Sequence, residues 1–293
     1  MSPRHLDEIS HTTPLGTWSL VRGRPAAGMT GVLEYWEVQG RLSPFREAIL
    51  PNGATEVMIN LGPPHRVFRG KATGRWDKSW FSGLQEKAIF VESLEGTHLI
   101  SARLHPLAAL RYLGPAVPGG ANTVVELEAL VGRSATALRR ALTAARSPAE
   151  RFDLLEAFLQ GLRPPAITVP TFVAEAATRI ERVHGKIAIT TLGEGLGVSR
   201  KHLAVSFKRF VGVSAKAYAS IHRFLWTLGR LRESSAVEWS RLAAEAGYSD
   251  QAHLVRDFKR VGAATPSGYL RQFAPDRDAL IEDRQVAGRK NGS

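Results

Sequence analysis

The sequence predicts an α+β chain of two domains. A β-rich, barrel- or sandwich-like domain with a helical connector comes first, and an all-α domain built from two similar helix pairs follows. Three observations predict this. The 293 residues suggest two domains at about 150 residues each. From Leu15 to about Leu104, short apolar runs alternate with Gly and Pro turns, the texture of a sandwich or barrel. From Thr171 to Phe273 the apolar spacing is helical throughout, and one two-helix unit occurs twice.

Taken in order, residues 1–14 are polar and aperiodic and are expected to be a flexible N-terminus. The β-rich domain with its connector is expected over 15–163. Val32–Trp36, Thr55–Leu61, Lys87–Val91 and Leu99–Leu104 read as strands, with turn signals at Pro51-Asn52-Gly53, Gly62-Pro63-Pro64, Gly70, Gly74 and Glu95-Gly96. The connector, 123–162, reads as helices at about 123–131 and 134–145 and a third that starts at Ser147-Pro148-Ala149-Glu150. There Ser caps, Pro fills the first helical position, and Glu completes a capping box. Leu154, Leu155, Phe158, Leu159 and Leu162 give that helix one apolar face. Residues 164–170, with three prolines, form the linker, 171–273 the helical domain, and 274–293 a polar tail.

The repeat carries most of the information. Leu192/Leu242, Gly197/Gly247 and Ser199/Ser249 recur at an offset of 50; Leu203/Leu254, Phe207/Phe258, Lys208/Lys259 and Arg209/Arg260 recur at 51. Each feature has a mechanical reason. Leu192 or Leu242 packs the first helix, and Gly197 or Gly247 supplies a positive φ in the turn. Ser199 or Ser249 caps the second helix. Leu203, Phe207 and Phe210, or Leu254, Phe258 and Val261, turn inward and leave a polar, basic face outside. The units are expected at about 190–211 and 239–261. Between them, Tyr218, Ile221, Leu225, Leu228 and Leu231 mark a linking helix over 214–234. Its length is roughly 30 Å, close to the ~34 Å between successive major-groove faces of B-DNA.

Charge agrees. Lys and Arg number 39 against 27 Asp and Glu. Residues 170–275 hold 16 basic and 8 acidic side chains, whereas 1–169 hold 19 and 15. Positive charge gathered on helices points to a polyanion, here double-stranded DNA. There is no cysteine, which excludes disulfides, thiolate chemistry and Cys-based zinc sites. No apolar run spans a bilayer and no signal peptide is visible, so a cytoplasmic protein without membrane contact is expected. Gly-rich phosphate loops, H-E-x-x-H and nucleophile elbows do not occur, so no catalytic residue, metal or cofactor is expected.

Residues 180–273 resemble the AraC/XylS family of bacterial transcription regulators. The run Gly247-Tyr248-Ser249-Asp250-Gln251-Ala252-His253-Leu254-Val255-Arg256-Asp257-Phe258-Lys259-Arg260, followed by Thr265-Pro266-Ser267-Gly268-Tyr269, is similar to that family's second motif. Upstream, Leu50–Gly62 and Phe81-Ser82-Gly83-Leu84 resemble the β-rich sensor domain of one branch. The resemblance implies two homeodomain-like helix-turn-helix subdomains joined by a long helix, sequence-specific transcription control, and a homodimer. RNA polymerase is a further partner of such a regulator. Where the family carries Arg in the first reading helix this chain has Val205. Where it carries Gly after the second, this chain has Ala263, with Gly262 one place early.

For base edges the expected residues are Arg200, Lys201, Gln251, His253 and Arg256, since Arg pairs with guanine and Gln with adenine. Phosphate contacts are expected from Ser199, Lys208, Arg209, Ser249, Lys259 and Arg260. Asp250 and Asp257 fall where phosphates would lie and are expected to weaken binding by their helix. In the upstream domain, Trp18, Trp36, Trp76, Trp80, Phe81 and Phe90 are expected to line a pocket for a small-molecule effector. Two other function classes are told apart by simple features. A DNA-targeted enzyme of the alkylation-repair kind needs a nucleophilic Cys, which is lacking; a sequence-indifferent nucleic-acid binder would bind unrelated DNA equally well.

Overall fold

The computed structural model describes residues 5–273 and 284–286, apart from 14–15, 43–44, 70–71, 94–95, 115–116, 118–120, 166 and 234–236. Most of the expected tail, 274–293, and residues 1–4 of the expected flexible terminus therefore lie outside the described residues.

The expected two-domain α+β class is the observed one. Two antiparallel sheets make the upstream sandwich. The larger runs β1 (Leu6–Thr13), β2 (Gly16–Gly23), β3 (Val32–Leu42), β10 (Thr97–Leu104), β5 (Thr55–Asn60), β8 (Ser79–Ser82) and β11 (Val124–Glu126). The smaller runs β12 (Arg284–Val286), β4 (Phe45–Ile49), β9 (Ile89–Ser93), β6 (His65–Arg69) and β7 (Ala72–Trp76).

Three expectations are corrected here. Residues 6–13 are a strand, not a flexible end: β1 pairs with β2 from Leu6↔Gly23 to Thr13↔Gly16. Most of its side chains are exposed, so backbone pairing rather than burial makes the strand, and no hydropathy pattern marks it. Within the expected tail, 284–286 pair with β4. The helix expected over 123–131 is a strand followed by a single helical stretch, because Val124 and Val125 are β-branched and extend the sheet at β8.

The central strands of the larger sheet are buried on both faces, and β3 shows how period-two alternation serves each. Tyr35 stacks on Phe152 on one side, with ring centres 5.9 Å apart; Trp36 and Val38 turn to the other, toward the smaller sheet. The first face is covered by α1 (Pro106–Leu113), α2 (Leu127–Val131), α3 (Ser134–Ala144) and α4 (Pro148–Gly161), which bury Leu113, Leu142, Leu155 and Leu159 against Val57, Ile100 and Leu104. Ser147 caps α4 by accepting from the Glu150 amide at 3.2 Å. An ion pair locks α4 to β3. Arg151 donates from Nε to Glu37 Oε2 at 2.8 Å and lies 2.7 Å from Oε1 through its terminal nitrogen, while His98 Nε2 also meets Oε1 at 2.8 Å.

The downstream domain comprises α5 (Thr171–Arg182), α6 (Ile189–Glu194), α7 (Arg200–Val211), α8 (Ala215–Glu233), α9 (Trp239–Glu245), α10 (Gln251–Gly262) and α11 (Pro266–Phe273). It holds two cores. Leu192, Leu203, Phe207, Val213 and Tyr218 centre the first; Phe224, Leu228, Leu242, Leu254 and Phe258 centre the second. α8 passes through both, and its 19 residues span roughly 29 Å. No helix among the described residues is long and apolar enough to cross a membrane.

The end of α10 explains the displaced glycine. Ala263 is the left-handed C-cap, at φ 60°, a conformation that costs an L residue. Gly262 cannot be spared for that role, since a Cβ there would sit 2.8 Å from Phe224 Cε2. Ala263→Gly is expected to stabilise the domain by about 0.5–1 kcal/mol, read as a raised denaturation midpoint at unchanged m-value.

Candidate nucleic-acid interface

The two helix pairs share one hydrogen-bonded plan. In the first turn, Gly197 adopts φ 66°, its N–H donates to Glu194 O at 3.1 Å, and the Val198 N–H reaches back to Gly193 O at 3.1 Å. In the second, Gly247 adopts φ 76°, donates to Ala244 O at 3.0 Å, and the Tyr248 N–H reaches Ala243 O at 2.9 Å. This closure satisfies carbonyls that a helix end leaves bare, and its left-handed residue is why glycine stands at both places.

The equivalence then shifts by one residue. Ser199 caps α7, its Oγ accepting from the His202 amide at 3.2 Å. The cap of α10 is Asp250, not the expected Ser249: Asp250 Oδ1 accepts from the His253 amide at 2.7 Å. Ser249 is thus the inserted residue, and its hydroxyl donates to Asp250 Oδ2 at 2.9 Å. The bond from the His253 amide, with that from Ser249, holds the Asp250 carboxyl below its ordinary range. Asp250 serves its own helix. Asp250→Ala is expected to lower the thermal midpoint more than Ser249→Ala does; the reverse order would restore Ser249 as the cap.

From the caps onward Arg200 matches Gln251, Val205 matches Arg256 and Lys208 matches Lys259. On α7, Arg200, Lys201, Ala204, Val205 and Lys208 are exposed along one face, Val205 by 63%. On α10, Gln251, Ala252, Arg256 and Lys259 are exposed in the same way. Neither helix is enclosed by the protein on that face. Arg256 makes no hydrogen bond or ion pair among the described residues. His253 is half-buried, its Nδ1 3.2 Å from Ser249 Oγ and its ring edge-on to Tyr248.

Two expected phosphate contacts are engaged elsewhere. Arg209 lies against Phe210, 5.3 Å from the ring centre, at the α1 end of α7. Arg260 donates to Asp257 Oδ1 at 2.7 Å and to Ser220 Oγ on α8 at 2.5 Å. Asp257 also receives Ser220 Oγ at 2.8 Å and the Tyr248 hydroxyl at 3.2 Å. Burial alone would push the Asp257 carboxyl up, but the bonds from Arg260 and Ser220 outweigh it and hold the group below its usual range. Asp257 is therefore a tie between α10 and α8. The expectation that it repels phosphate is corrected, because its charge is turned inward and matched.

The upstream domain touches both helix pairs. Leu84 lies in the first core and Leu50 in the second. The Ala88 N–H donates to Val261 O at 2.7 Å, capturing a carbonyl in the last turn of α10. His105 Nε2 meets Glu181 on α5 at 2.9 Å, and Tyr218 donates to the same carboxylate at 2.5 Å. The Ala88 bond lies at the end of α10 away from its cap, and Leu84 lies beside Val211 and Gly212 at the corresponding end of α7. No sequence signal marks them, since each joins single residues far apart in the chain.

A cleft opens between the two sheets. Of the aromatics expected there, Trp36 and Trp76 line it, while Trp18 and Trp80 pack in the cluster that forms its floor. Trp18, Trp80, Phe81 and Phe90 do not line it, which corrects that expectation for all four. Phe81 faces the helical side of the larger sheet; Phe90 alternates outward from Ile89 and Val91 and lies beneath Arg46. The polar wall, missed in the sequence, is Glu34, Glu56, Asn52, Gln85, Arg22 and Arg103.

Residues 192–272 match the sequence family described as Helix-turn-helix domain. No curated protein matches the chain. Among solved structures, the chain is similar to ToxT from Vibrio cholerae at 12% identity and TM-score 0.49, over 81% of this chain and 98% of that one. The C-terminal domain of AraT, a response regulator from Geobacillus stearothermophilus, is similar at 20% identity and TM-score 0.33, over 36% of this chain and 88% of that one. The AraC-like transcriptional activator CuxR is similar at 14% identity and TM-score 0.32, over 75% of this chain and 86% of that one.

Proposed function

We propose, with residues 192–272 a helix-turn-helix domain, that this chain is a sequence-specific DNA-binding transcription regulator of the AraC/XylS type and not an enzyme. One observation carries the reading: two helix pairs of the same hydrogen-bonded plan each expose the capped, basic face of the second helix, joined by a helix of roughly 29 Å. That length suits adjacent major-groove faces, ~34 Å apart.

Arg200, Lys201, Gln251, His253 and Arg256 read base edges in this proposal, with Val205 contributing apolar contact to a thymine methyl. Lys208 and Lys259 take phosphates, with the Ser199 hydroxyl, whose proton remains available while its oxygen caps α7. Arg209, Ser249 and Arg260 are secondary, being engaged within the protein. The upstream domain senses a small-molecule effector in the cleft between its sheets. The regulator works in the cytoplasm as a homodimer and meets RNA polymerase on the promoter.

Selection of bound genomic fragments followed by footprinting tests this. Two protected major-groove segments one helical turn apart per monomer are expected. Equal competition by unrelated DNA at physiological salt would instead favour a sequence-indifferent binder.

A further inference from the structure

The cleft between the sheets contains a buried polar atom that the fold does not satisfy. Gln85 lines the cleft and is 9% exposed. Its Nε2 donates to Ser82 Oγ at 3.1 Å and to Gly83 O at 2.9 Å. A backbone carbonyl only accepts, so the amide nitrogen must lie on that side. Among the described residues the amide oxygen, itself buried, has no hydrogen-bond partner. Leaving such an acceptor unmet is costly, and a ligand bringing a donor would recover that cost.

The other walls narrow the ligand. Leu20, Val38, Met58 and Ile89 with the Trp36 and Trp76 rings make an apolar, partly aromatic body. The charged corner is balanced internally, Arg22 and Arg103 against Glu34 and Glu56. Arg103 donates from Nε to Glu56 at 2.9 Å and through a terminal nitrogen to Glu34 at 2.5 Å, and Asn52 Nδ2 adds a bond to Glu56 at 3.2 Å. An anion would compete with both carboxylates for Arg103; a cation would compete with Arg103 for the carboxylates. Neither gains net charge compensation.

The position of Gln85 in the chain gives its occupancy a route outward. Its neighbour Leu84 is buried in the core of the first helix pair, and three residues on, the Ala88 N–H binds the end of α10. The opposite lip, Ile49 to Ala54, places Leu50 in the core of the second pair. We propose that the cleft takes a neutral small molecule with a ring-sized apolar body and one O–H or N–H donor, received by Gln85 Oε1. Its binding is transmitted to both helix pairs by residues 84–88. This rests on the reading of the upstream domain as a sensor. Transmission requires that the ligand prefer one docking of that segment over another.

Calorimetry on the full chain without DNA, with 4-ethylphenol, 4-ethylanisole and 4-ethylbenzoate, tests the ligand class. The phenol is expected to bind at least ten-fold more tightly than the anisole, which lacks the donor, and than the anionic benzoate. In Gln85→Met the phenol-to-anisole ratio falls below three-fold. Equal binding of phenol and anisole to the unaltered protein, tightest binding of the benzoate, or no heat from any probe at millimolar concentration overturns the class without reliance on a variant. Saturating 4-ethylphenol is further expected to change affinity for the selected DNA at least five-fold, and an unchanged affinity overturns the transmission. DNA binding is measured first with no probe. Its failure would sink the regulator reading alone, because the calorimetry stands apart from it.

Discussion

Arg256→Ala is expected to cost about 1–3 kcal/mol of DNA-binding free energy, roughly a five- to 150-fold loss of affinity, with relaxed preference at one base pair. The side chain leaves the exposed face of α10 six residues beyond the Asp250 cap, and among the described residues no acidic side chain holds it in an ion pair. A guanidinium held on a helix in a major groove presents two parallel donors to guanine O6 and N7, which no other base pair answers equally well. Lys259→Ala makes the control. Binding there should weaken across all sequences alike, and the salt dependence should lose about one unit of slope. Binding selection on both variants separates the roles. An Arg256→Ala protein that keeps the base preference of its parent would remove this residue from readout. Val205 occupies the matching place on α7, so the first unit is expected to show no guanine preference at the corresponding position.

Arg151→Met should destabilise the upstream domain by about 3–5 kcal/mol at pH 7, the usual cost of stranding a buried charge. Glu37 is 3% exposed and takes two bonds from Arg151 and one from His98. Burial pushes its carboxyl up, but the bonds from His98 and Arg151 outweigh it and keep the group below the ordinary range. A depressed carboxyl contributes stability above its unfolded value, and that contribution is lost as pH falls through the lower folded value. Without Arg151 only His98 opposes burial, and the folded pKa rises relative to the parent's. Acidification toward pH 5 then costs the variant less than it costs the parent and narrows the deficit. Urea denaturation of both proteins at pH 7 and pH 5 measures this. A deficit that is unchanged or larger at pH 5 would contradict the assigned role of Glu37.

Local chemistry was readable wherever a residue acts on its immediate neighbours. Ser147 and Ser199 cap the helices that follow them, and Gly197 and Gly247 take positive φ. The same reasoning failed by one residue at Ser249. Two adjacent side chains, Ser249 and Asp250, are both good caps, and sequence spacing does not say which one the backbone presents to the His253 amide. It failed more fully at β1, whose polar side chains carry no burial pattern, and at the aromatics of the sandwich. Phe81 and Phe90 lie on strands as Trp36 does, yet only the pairing of sheets decides which face each of them meets.

By itself the sequence determined the two domains, the doubled helix pair and the basic character of its second helices, because periodicity, capping and turn geometry act over a few residues and leave their marks there. Tertiary structure alone decided what those helices are attached to. Leu50, in the wall of the cleft, and Leu84 and Ala88, next to its Gln85 and Ile89, reach both helix pairs from more than a hundred residues upstream. Asp257 and Arg260 turn toward α8 although their spacing suits an outward face. Such contacts form between surfaces that are complementary only once folded. Each contributes a single ordinary residue to its own segment, so no local pattern announces it.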